Sequence, residues 1–257
     1  MNQAEKAKAF GALHRKGDPI ILYNIWDAGT AKAVTEVGAK ALATGSWSVA
    51  AAQGYADGEK LPLEALLATA RQITAANHLP LSVDFEGAYA TEPEGAADNV
   101  AKLIEAGAVG INFEDRVVGG SGLHPVGEQA ARIAAIRRMA EAKDIGFFVN
   151  ARTDLFLAEG DASRHADLVE EAIARGRAYA AAGASGLFVP GLMDPTLIEK
   201  ICSASALPVN VMMMPGVPEV KALARLGVSR VSYGPGPYRA MIASLKDEAA
   251  AVFADAS

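Results

Sequence analysis

The chain has 257 residues and a mass of 26.6 kDa, is 51% hydrophobic and 21% charged, and so carries enough apolar material for one large α/β domain or two small ones. Its 24 Lys and Arg against 30 Asp and Glu leave a net charge of −6 with no block of like charges, which argues against a nucleic-acid or anionic-membrane partner. A single cysteine, Cys202, excludes an internal disulfide and a thiolate metal cluster; the start MNQAEKAKAF is polar, no apolar run approaches a membrane span, and the expectation is a soluble cytoplasmic protein.

Along the chain, short apolar, β-rich runs alternate with Ala-rich stretches of helical period. The runs are PIILYNIW (19–26), AKALATGS (39–46), LPLSVDFE (79–86), AVGINFED (108–115), GFFVNART (146–153), SGLFVPG (185–191), LPVNVMM (207–213) and VSRVSYGP (228–235). Between them lie helical segments such as 63–77, 94–107, 127–142 and 163–183. Strands that are apolar throughout and separated by helices imply a parallel sheet covered on its outside. The joints EVGAKAL, EAGAVGI, AAGASGL and RLGVSRV each place a glycine where a helix should end, as a left-handed C-terminal cap requires. Eight such units predict a (β/α)8 TIM barrel over residues 1–257 as a single domain. The alternative is a doubly wound open sheet, although NIWDAGTA, after the first strand, lacks GxGxxG.

A barrel of this kind does its chemistry at the C-terminal ends of the strands. The residues falling there are Asn24 and Asp27, then Thr44, Ser46 and Trp47, then Asp84 and Glu86, then Asn112, Glu114 and Asp115, then Asn150, Arg152 and Asp154, and finally Asn210 and Tyr233. Asp84 and Glu86 are two apart, so an extended strand would put both on one face. Several readings compete with a functional one. The two acids could cap the next turn, Asp57 in ADGE suits an ordinary turn, and Arg152 could simply pair with Asp154. Asp27 reads as a helix N-cap and Asp115 as structural; VMMMP (211–215) and Cys202 read as core, and His124 as a loop histidine.

Carboxylates gathered on adjacent strands repel one another unless a cation neutralises them or some stay protonated. All-oxygen ligation without His or Cys favours a hard ion, Mg²⁺ or Mn²⁺. The nearby Arg152 suits a two-pronged grip on a carboxylate or phosphate. The pattern points to a metal-dependent enzyme acting on a small anionic molecule.

The segments SVDFEGAYA (82–90), GINFEDR (110–116) and FVNARTDLF (148–156), in this order, resemble the isocitrate lyase/phosphoenolpyruvate mutase superfamily. NIWDAGTAKAVTEVGAKALATGSWSVAAAQGYADGE is similar to that family's opening segment, and the likeness runs from about residue 15 to about 240. The resemblance implies a (β/α)8 barrel, Mg²⁺, and 2-oxo or 2-hydroxy carboxylates cleaved or rearranged through enolate-like species. It also implies a homo-oligomer, a tetramer or dimer, in which the last helix is exchanged between subunits. By motif it makes Asp84 the metal-binding acid, Glu86 the second acid of a pattern more usually Asp-x-Asp, and Asp57 and Glu114 the acids that hold metal-bound water. Ser46 with Trp47 matches the carboxylate-binding turn and Arg152 the substrate-binding arginine. Asn210 and Asp84 complete the expected substrate contacts, and Arg152, Glu114 and His124 form the candidate catalytic set.

One departure bears on the reaction. Relatives that cleave isocitrate or methylisocitrate carry a Lys-Lys/Arg-Cys-Gly-His loop after the fourth strand, whose cysteine acts as an acid. Here that segment is RVVGGSGLHPVGEQ (116–129), with no cysteine and without the Lys…Asn-Ser pattern of phosphonopyruvate-forming mutases. Gly119, Gly120 and Gly122 suit a mobile lid. The expected activity is therefore a Mg²⁺-dependent carbon–carbon lyase or decarboxylase of a small 2-oxo or 2-hydroxy (di)carboxylate, working through a metal-stabilised enolate. A phosphonate P–C mutase or hydrolase, and a metal-dependent oxo-acid binder without turnover, are the alternatives.

Overall fold

Each of the eight apolar runs contains a strand in the computed structural model, which describes residues 1–255. The chain begins with α1 (Gln3–Ala12), β1 (Ile20–Leu22), α2 (Ala28–Glu36), β2 (Leu42–Ala43), α3 (Ser46–Ala52) and α4 (Leu63–Ala76). Next come β3 (Leu81–Asp84), α5 (Pro93–Glu105), β4 (Gly110–Glu114), α6 (Val126–Ala142), β5 (Phe148–Arg152), α7 (Leu155–Ala158) and α8 (His165–Ala181). The last quarter holds β6 (Gly186–Phe188), α9 (Pro195–Ala204), β7 (Val209–Met212), α10 (Val220–Arg225), β8 (Arg230–Ser232) and α11 (Gly236–Asp255).

Every strand pairing is parallel, and the order is β1-β8-β7-β6-β5-β4-β3-β2. The remaining seam is spanned by a parallel bridge between Ile25 and Thr44, where Ile25 N–H donates to Ala43 O at 2.9 Å. The sheet is thus a nearly closed (β/α)8 barrel, and the open doubly wound alternative is excluded. Gly38, Gly107, Gly183 and Gly227, the four joint glycines, all take positive φ. At Gly107 the constraint is steric as well: a Cβ there would lie 3.0 Å from the Thr74 side chain.

The apolar interior has two parts. The larger fills the space between sheet and helices, with Val83, Ile111, Phe113, Val149 and Leu187 facing Ile73, Val100, Ile133, Ile136 and Val169. The smaller, which includes Phe10, Leu22, Ala43 and Phe148, packs α1 against the barrel. α1 was not foreseen, because only Ala7 and Phe10 of its ten residues are buried and it carries no apolar stripe. Asn2 and Glu5 start it with reciprocal cap hydrogen bonds, and Phe10 lies edge-on to Phe148 with ring centroids 5.3 Å apart.

Asp27 is the N-cap of α2, as expected, accepting the Thr30 N–H at 2.7 Å. Cys202 is buried core, its thiol pushed up to about 12 by burial. α11 behaves unlike the other helices. Pro237 is its only buried residue among the described ones, Tyr238 lies edge-on to Trp26 and Trp47, and Met241, Leu245 and Val252 are exposed. On the outside of β1, Ile21 and Tyr23 are also exposed; with Val34 and Val37 they line a groove of about 420 Å³. No helix among the described residues is long and apolar enough to cross a membrane.

Candidate active site

At the C-terminal end of the barrel, β2 runs directly into α3, so the backbone at Gly45–Ser46 presents N–H groups to the strand ends. Ser46 N–H donates to Asp84 Oδ2 at 3.1 Å. Asp84, the last residue of β3, is held from two further sides. Its own N–H donates to Thr44 Oγ1 at 3.0 Å, and Asn112 Nδ2 approaches Oδ1 at 3.4 Å. Two donors to the carboxylate and one bond from its own backbone hold Asp84 at the barrel mouth.

The expectation that Asp84 and Glu86 share one strand face is corrected by the structure. β3 ends at Asp84, and Glu86, with φ 48°, lies in the left-handed region, as do Ala88 and Tyr89 at 62° and 55°. The alternation of an extended chain therefore stops before Glu86. Three non-glycine residues in this conformation make a strained turn, and the neighbourhood holds it with charge-assisted bonds. Glu59 N–H donates to Glu86 Oε2 at 3.0 Å, Tyr89 N–H donates to Glu59 Oε1 at 2.8 Å, and the buried Arg132 donates to the carbonyls of Gly87 and Ala90. Sequence reasoning missed Arg132 and Glu59. Arg132 was legible as a charge in register with the buried face of α6, at Gln129, Ile133 and Ile136.

Arg152 ends β5 and is the cation that reaches the acids. Its Nε and Nη2 donate to the two oxygens of Asp154, at 2.6 and 3.0 Å. This two-pronged pair takes the fork that the sequence suggested for a ligand. Nη1 remains turned to the mouth, 3.1 Å from Glu114 Oε2 and 3.8 Å from Asp84 Oδ1. Burial works against the guanidinium charge, but Glu114, Asp154 and Asp84 outweigh it and hold Arg152 fully protonated.

Together these residues border two connected spaces, with Asp57 and Arg152 lining both. The inner cavity, about 180 Å³, is polar on the side of Ser46, Asp57, Asp84, Asn112, Arg152 and Ser232 and apolar on the side of Trp47, Leu157, Phe188, Pro190, Met212 and Pro235. That size suits a substrate smaller than the ligands of typical pockets of roughly 300–1,000 Å³. The outer lobe, about 480 Å³, is bordered by Lys60, Glu86, Glu114, Arg116 and the 117–120 turn. Leu157, Phe188, Pro190, Ser232 and Lys60 were not singled out in the sequence. Met212, read there as core, is part of the wall.

Burial and mutual repulsion raise the acids. Glu86 is pushed up to about 8 by burial and then by the charges of Asp57, Asp84 and Glu114. Glu114 also lies well above the usual carboxylate range, chiefly through burial, with Arg152 opposing the shift. Asp57 is exposed at the rim, yet burial of its carboxyl group and the Asp84 charge raise it. An excess of carboxylate over cation is the condition a divalent ion relieves. Among the described residues, no three His, Cys, Asp or Glu side chains form a ready-made cage. A hard ion that keeps several of its waters and takes one or two carboxylates fits this arrangement; a tetrahedral N/S site does not.

Two expected site residues, Asn210 and His124, do not line these spaces. Asn210 lies in the barrel interior, its Oδ1 accepting from Asn150 Nδ2 at 3.0 Å and its amide donating to the Val211 and Arg230 carbonyls. It lies among the interior polar groups and does not line the cavity. His124 is buried in a neighbouring pocket of about 210 Å³ with Tyr89 and Arg132, which shares Arg116 and Val118 with the outer lobe, and burial and the Arg132 charge lower its pKa. The cause is local: its N–H donates to Asp115 O at 2.7 Å, and its carbonyl accepts from Arg175. Asp115 is structural, as expected, buried with Tyr179 OH at 2.7 Å and Arg175 Nη1 at 3.1 Å. Asn24 and Tyr233, also at the rim, tie strand ends together: Asn24 Oδ1 accepts the Tyr233 and Gly234 N–H groups at 2.8 and 2.9 Å.

The family model for phosphoenolpyruvate phosphomutase matches residues 10–253. The chain is 36% identical over 244 residues to an uncharacterised protein of Mycobacterium tuberculosis, covering 95% of this chain and 88% of that one. It is 28% identical over 215 residues to the 2-methylisocitrate lyase of Escherichia coli, covering 81% and 70%. Among solved structures, a Burkholderia cenocepacia protein described as a candidate phosphonomutase superposes with a TM-score of 0.94 at 44% identity, each chain covered completely. This chain is an enzyme that belongs to the phosphoenolpyruvate phosphomutase family, within the isocitrate lyase/phosphoenolpyruvate mutase superfamily.

Proposed function

We propose that this protein is a Mg²⁺-dependent carbon–carbon lyase or decarboxylase acting on a small 2-oxo or 2-hydroxy carboxylate, with Mn²⁺ able to replace Mg²⁺. The observation that carries the reading is the acid set Asp57, Asp84, Glu86 and Glu114 around a small cavity in which Arg152 is the lining cation. Asp84 is the residue to hold the ion directly, with Asp57, Glu86 and Glu114 reaching it through water. Bound there, the cation would supply Lewis-acid stabilisation of the charge that develops on the substrate's 2-oxygen as the carbon–carbon bond breaks.

The protein's own groups orient the substrate. Ser46, Asn112 and Arg152 Nη1 are donors on the polar wall and hold carboxylate and 2-oxygen. Trp47, Phe188, Pro190 and Met212 exclude water from the opposite side. The 116–123 segment is the lid. Its Arg116–Leu123 bridge and the Val117 N–H to Gly122 O bond shape a glycine-bearing hairpin at the outer lobe. With His124 lining neither of the two spaces, the proton that quenches the product carbanion comes from water. Lys60 and Arg116, both bordering the outer lobe, favour one second reading: they suit a phosphonate dianion, and so P–C mutase or hydrolase chemistry.

Assembly is part of the same proposal. α11 exposes Met241, Leu245 and Val252, and the outside of β1 exposes Ile21 and Tyr23 beside the α2 residues Val34 and Val37. A second copy of the chain, lending its last helix, would cover such a groove. Light scattering at micromolar concentration should find a dimer or tetramer; a monomer would refute this.

The raised acids set a pH dependence. In the folded, metal-free protein Glu86 stays protonated up to about pH 8, whereas an ordinary Glu ionises above 4.5. A carboxyl group whose pKa is raised by folding contributes its stability below the unfolded value and loses it as pH climbs to the folded value. Metal-free stability should therefore fall between pH 4.5 and about 8, and Glu86→Gln should flatten the fall. Mg²⁺ affinity should rise over the same interval, with protons released on binding when calorimetry is run in buffers of different ionisation enthalpy. Affinity and stability both independent of pH would contradict the assignment.

Substrate class is tested by incubating the Mg²⁺-loaded enzyme with 2-oxo, 2-hydroxy and phosphono acids and following products by NMR. Turnover of a small oxo or hydroxy acid is expected, whereas isocitrate and 2-methylisocitrate should be poor substrates, because loss of a positioned general acid typically costs about 10²–10⁴-fold. His124→Ala should leave turnover unchanged. Preferred conversion of phosphonopyruvate would select the second reading. Efficient cleavage of either isocitrate would defeat the lidside-acid argument.

A further inference from the structure

Beneath the cavity lies a cation that the proposed chemistry does not use. Arg230, the first residue of β8, is fully buried inside the barrel. Its Nε donates to Ser232 Oγ at 3.2 Å and its Nη2 to Asn112 Oδ1 at 3.0 Å, while Nη1 has no protein partner. No carboxylate among the described residues forms an ion pair with it; the opposing charge that acts on it is that of Asp84. His14 nearby adds no second charge, since burial and the Arg230 charge itself keep its imidazole neutral.

Stability does not account for such a residue. An uncompensated guanidinium in a barrel interior is costly, and an apolar side chain of similar volume is commonly neutral or stabilising at such a place. What Arg230 does achieve is visible at Asn112. The Asn112 Oδ1 accepts from Arg230 and also from Asn150 Nδ2, at 2.9 Å. Turning the amide over would break both bonds and set its N–H groups against two donors. Its Nδ2 is therefore committed to the Asp84 side, where it stands 3.4 Å from Oδ1.

We propose that Arg230 is a positioning residue for the active site: by locking Asn112 it holds the Asp84 carboxylate toward the cavity, and it supplies positive charge from below when the site fills with cation and anionic ligand. The inference rests on the proposed role of Asp84. It places the site's support inside the barrel, on a residue that touches neither substrate nor ion.

The test compares wild type with Arg230→Met and Arg230→Lys in the full-length protein. In the free protein, Arg230→Met should shift or broaden the Asn112 side-chain amide resonances in ¹⁵N NMR. Unmoved resonances would refute the coupling, whatever the protein binds. Calorimetric titration with Mg²⁺, and with oxalate in the presence of Mg²⁺, should show about 10–100-fold weaker binding, the usual scale for losing a partner behind a ligand. The melting temperature should stay equal or rise. Wild-type affinity in the variant would assign Arg230 to packing alone. If Arg230→Met fails to fold, Arg230→Lys carries the test, because it keeps the charge but loses the fork. Weakened oxalate binding with a displaced Asn112 signal supports the proposal, and unchanged values of both overturn it. A wild type that binds neither probe would count against the metal reading, and the NMR comparison would still decide the coupling of Arg230 to Asn112.

Discussion

Four carboxylates face the mouth of this barrel, and one guanidinium, Arg152, reaches them. Its Nη1 contacts Glu114 and approaches Asp84, while the rest of its fork is spent on Asp154. Burial first, and then the repulsion left over, raises Glu86 and Glu114 well above the usual carboxylate range. A site built in this way is unfinished electrostatically, because buried carboxylates are costly to leave charged without a cation. Much of the surrounding structure can be understood as the means of keeping these acids together.

Those means are local. The β2–α3 junction offers the Ser46 N–H to Asp84, and Asn112 closes on the same carboxylate from β4. Glu86 is placed by a left-handed turn that an extended chain would not form, and Arg132 and Glu59 hold that turn from behind. In the barrel interior, Asn112, Asn150, Asn210 and Arg230 form a hydrogen-bonded polar group where many barrels carry branched aliphatics. Polar interiors of this kind are worth their cost only when nearly every group is satisfied, and Arg230 Nη1 is left without a protein partner.

How far the sequence anticipates this differs by element. The strands are legible because each lies in a mostly apolar run between helical stretches, and the helix ends because Gly38, Gly107, Gly183 and Gly227 occupy positions that need positive φ. Asp84, Glu114, Arg152 and Ser46 are legible because strand ends in a barrel converge. Three features are not. α1 buries too few residues to leave a period. The face of Glu86 depends on left-handed backbone angles held by contacts to Glu59 and Arg132, residues distant in sequence. The direction of His124 is set by backbone bonds to Asp115 and Arg175, contacts between segments far apart in sequence. Asn210, expected among the substrate contacts at the strand ends, lies instead in the barrel interior, because its amide is consumed by neighbouring strands.

The central claim is that the acid at the end of β3 holds the cation on which the chemistry depends. Titration calorimetry of Mg²⁺ into wild type and Asp84→Ala, with circular dichroism to verify the fold, tests it most directly. The account predicts measurable binding by the wild type and none by a folded Asp84→Ala, because on the proposed assignment the remaining acids would reach the ion only through water. Unchanged Mg²⁺ affinity in the folded variant would contradict it.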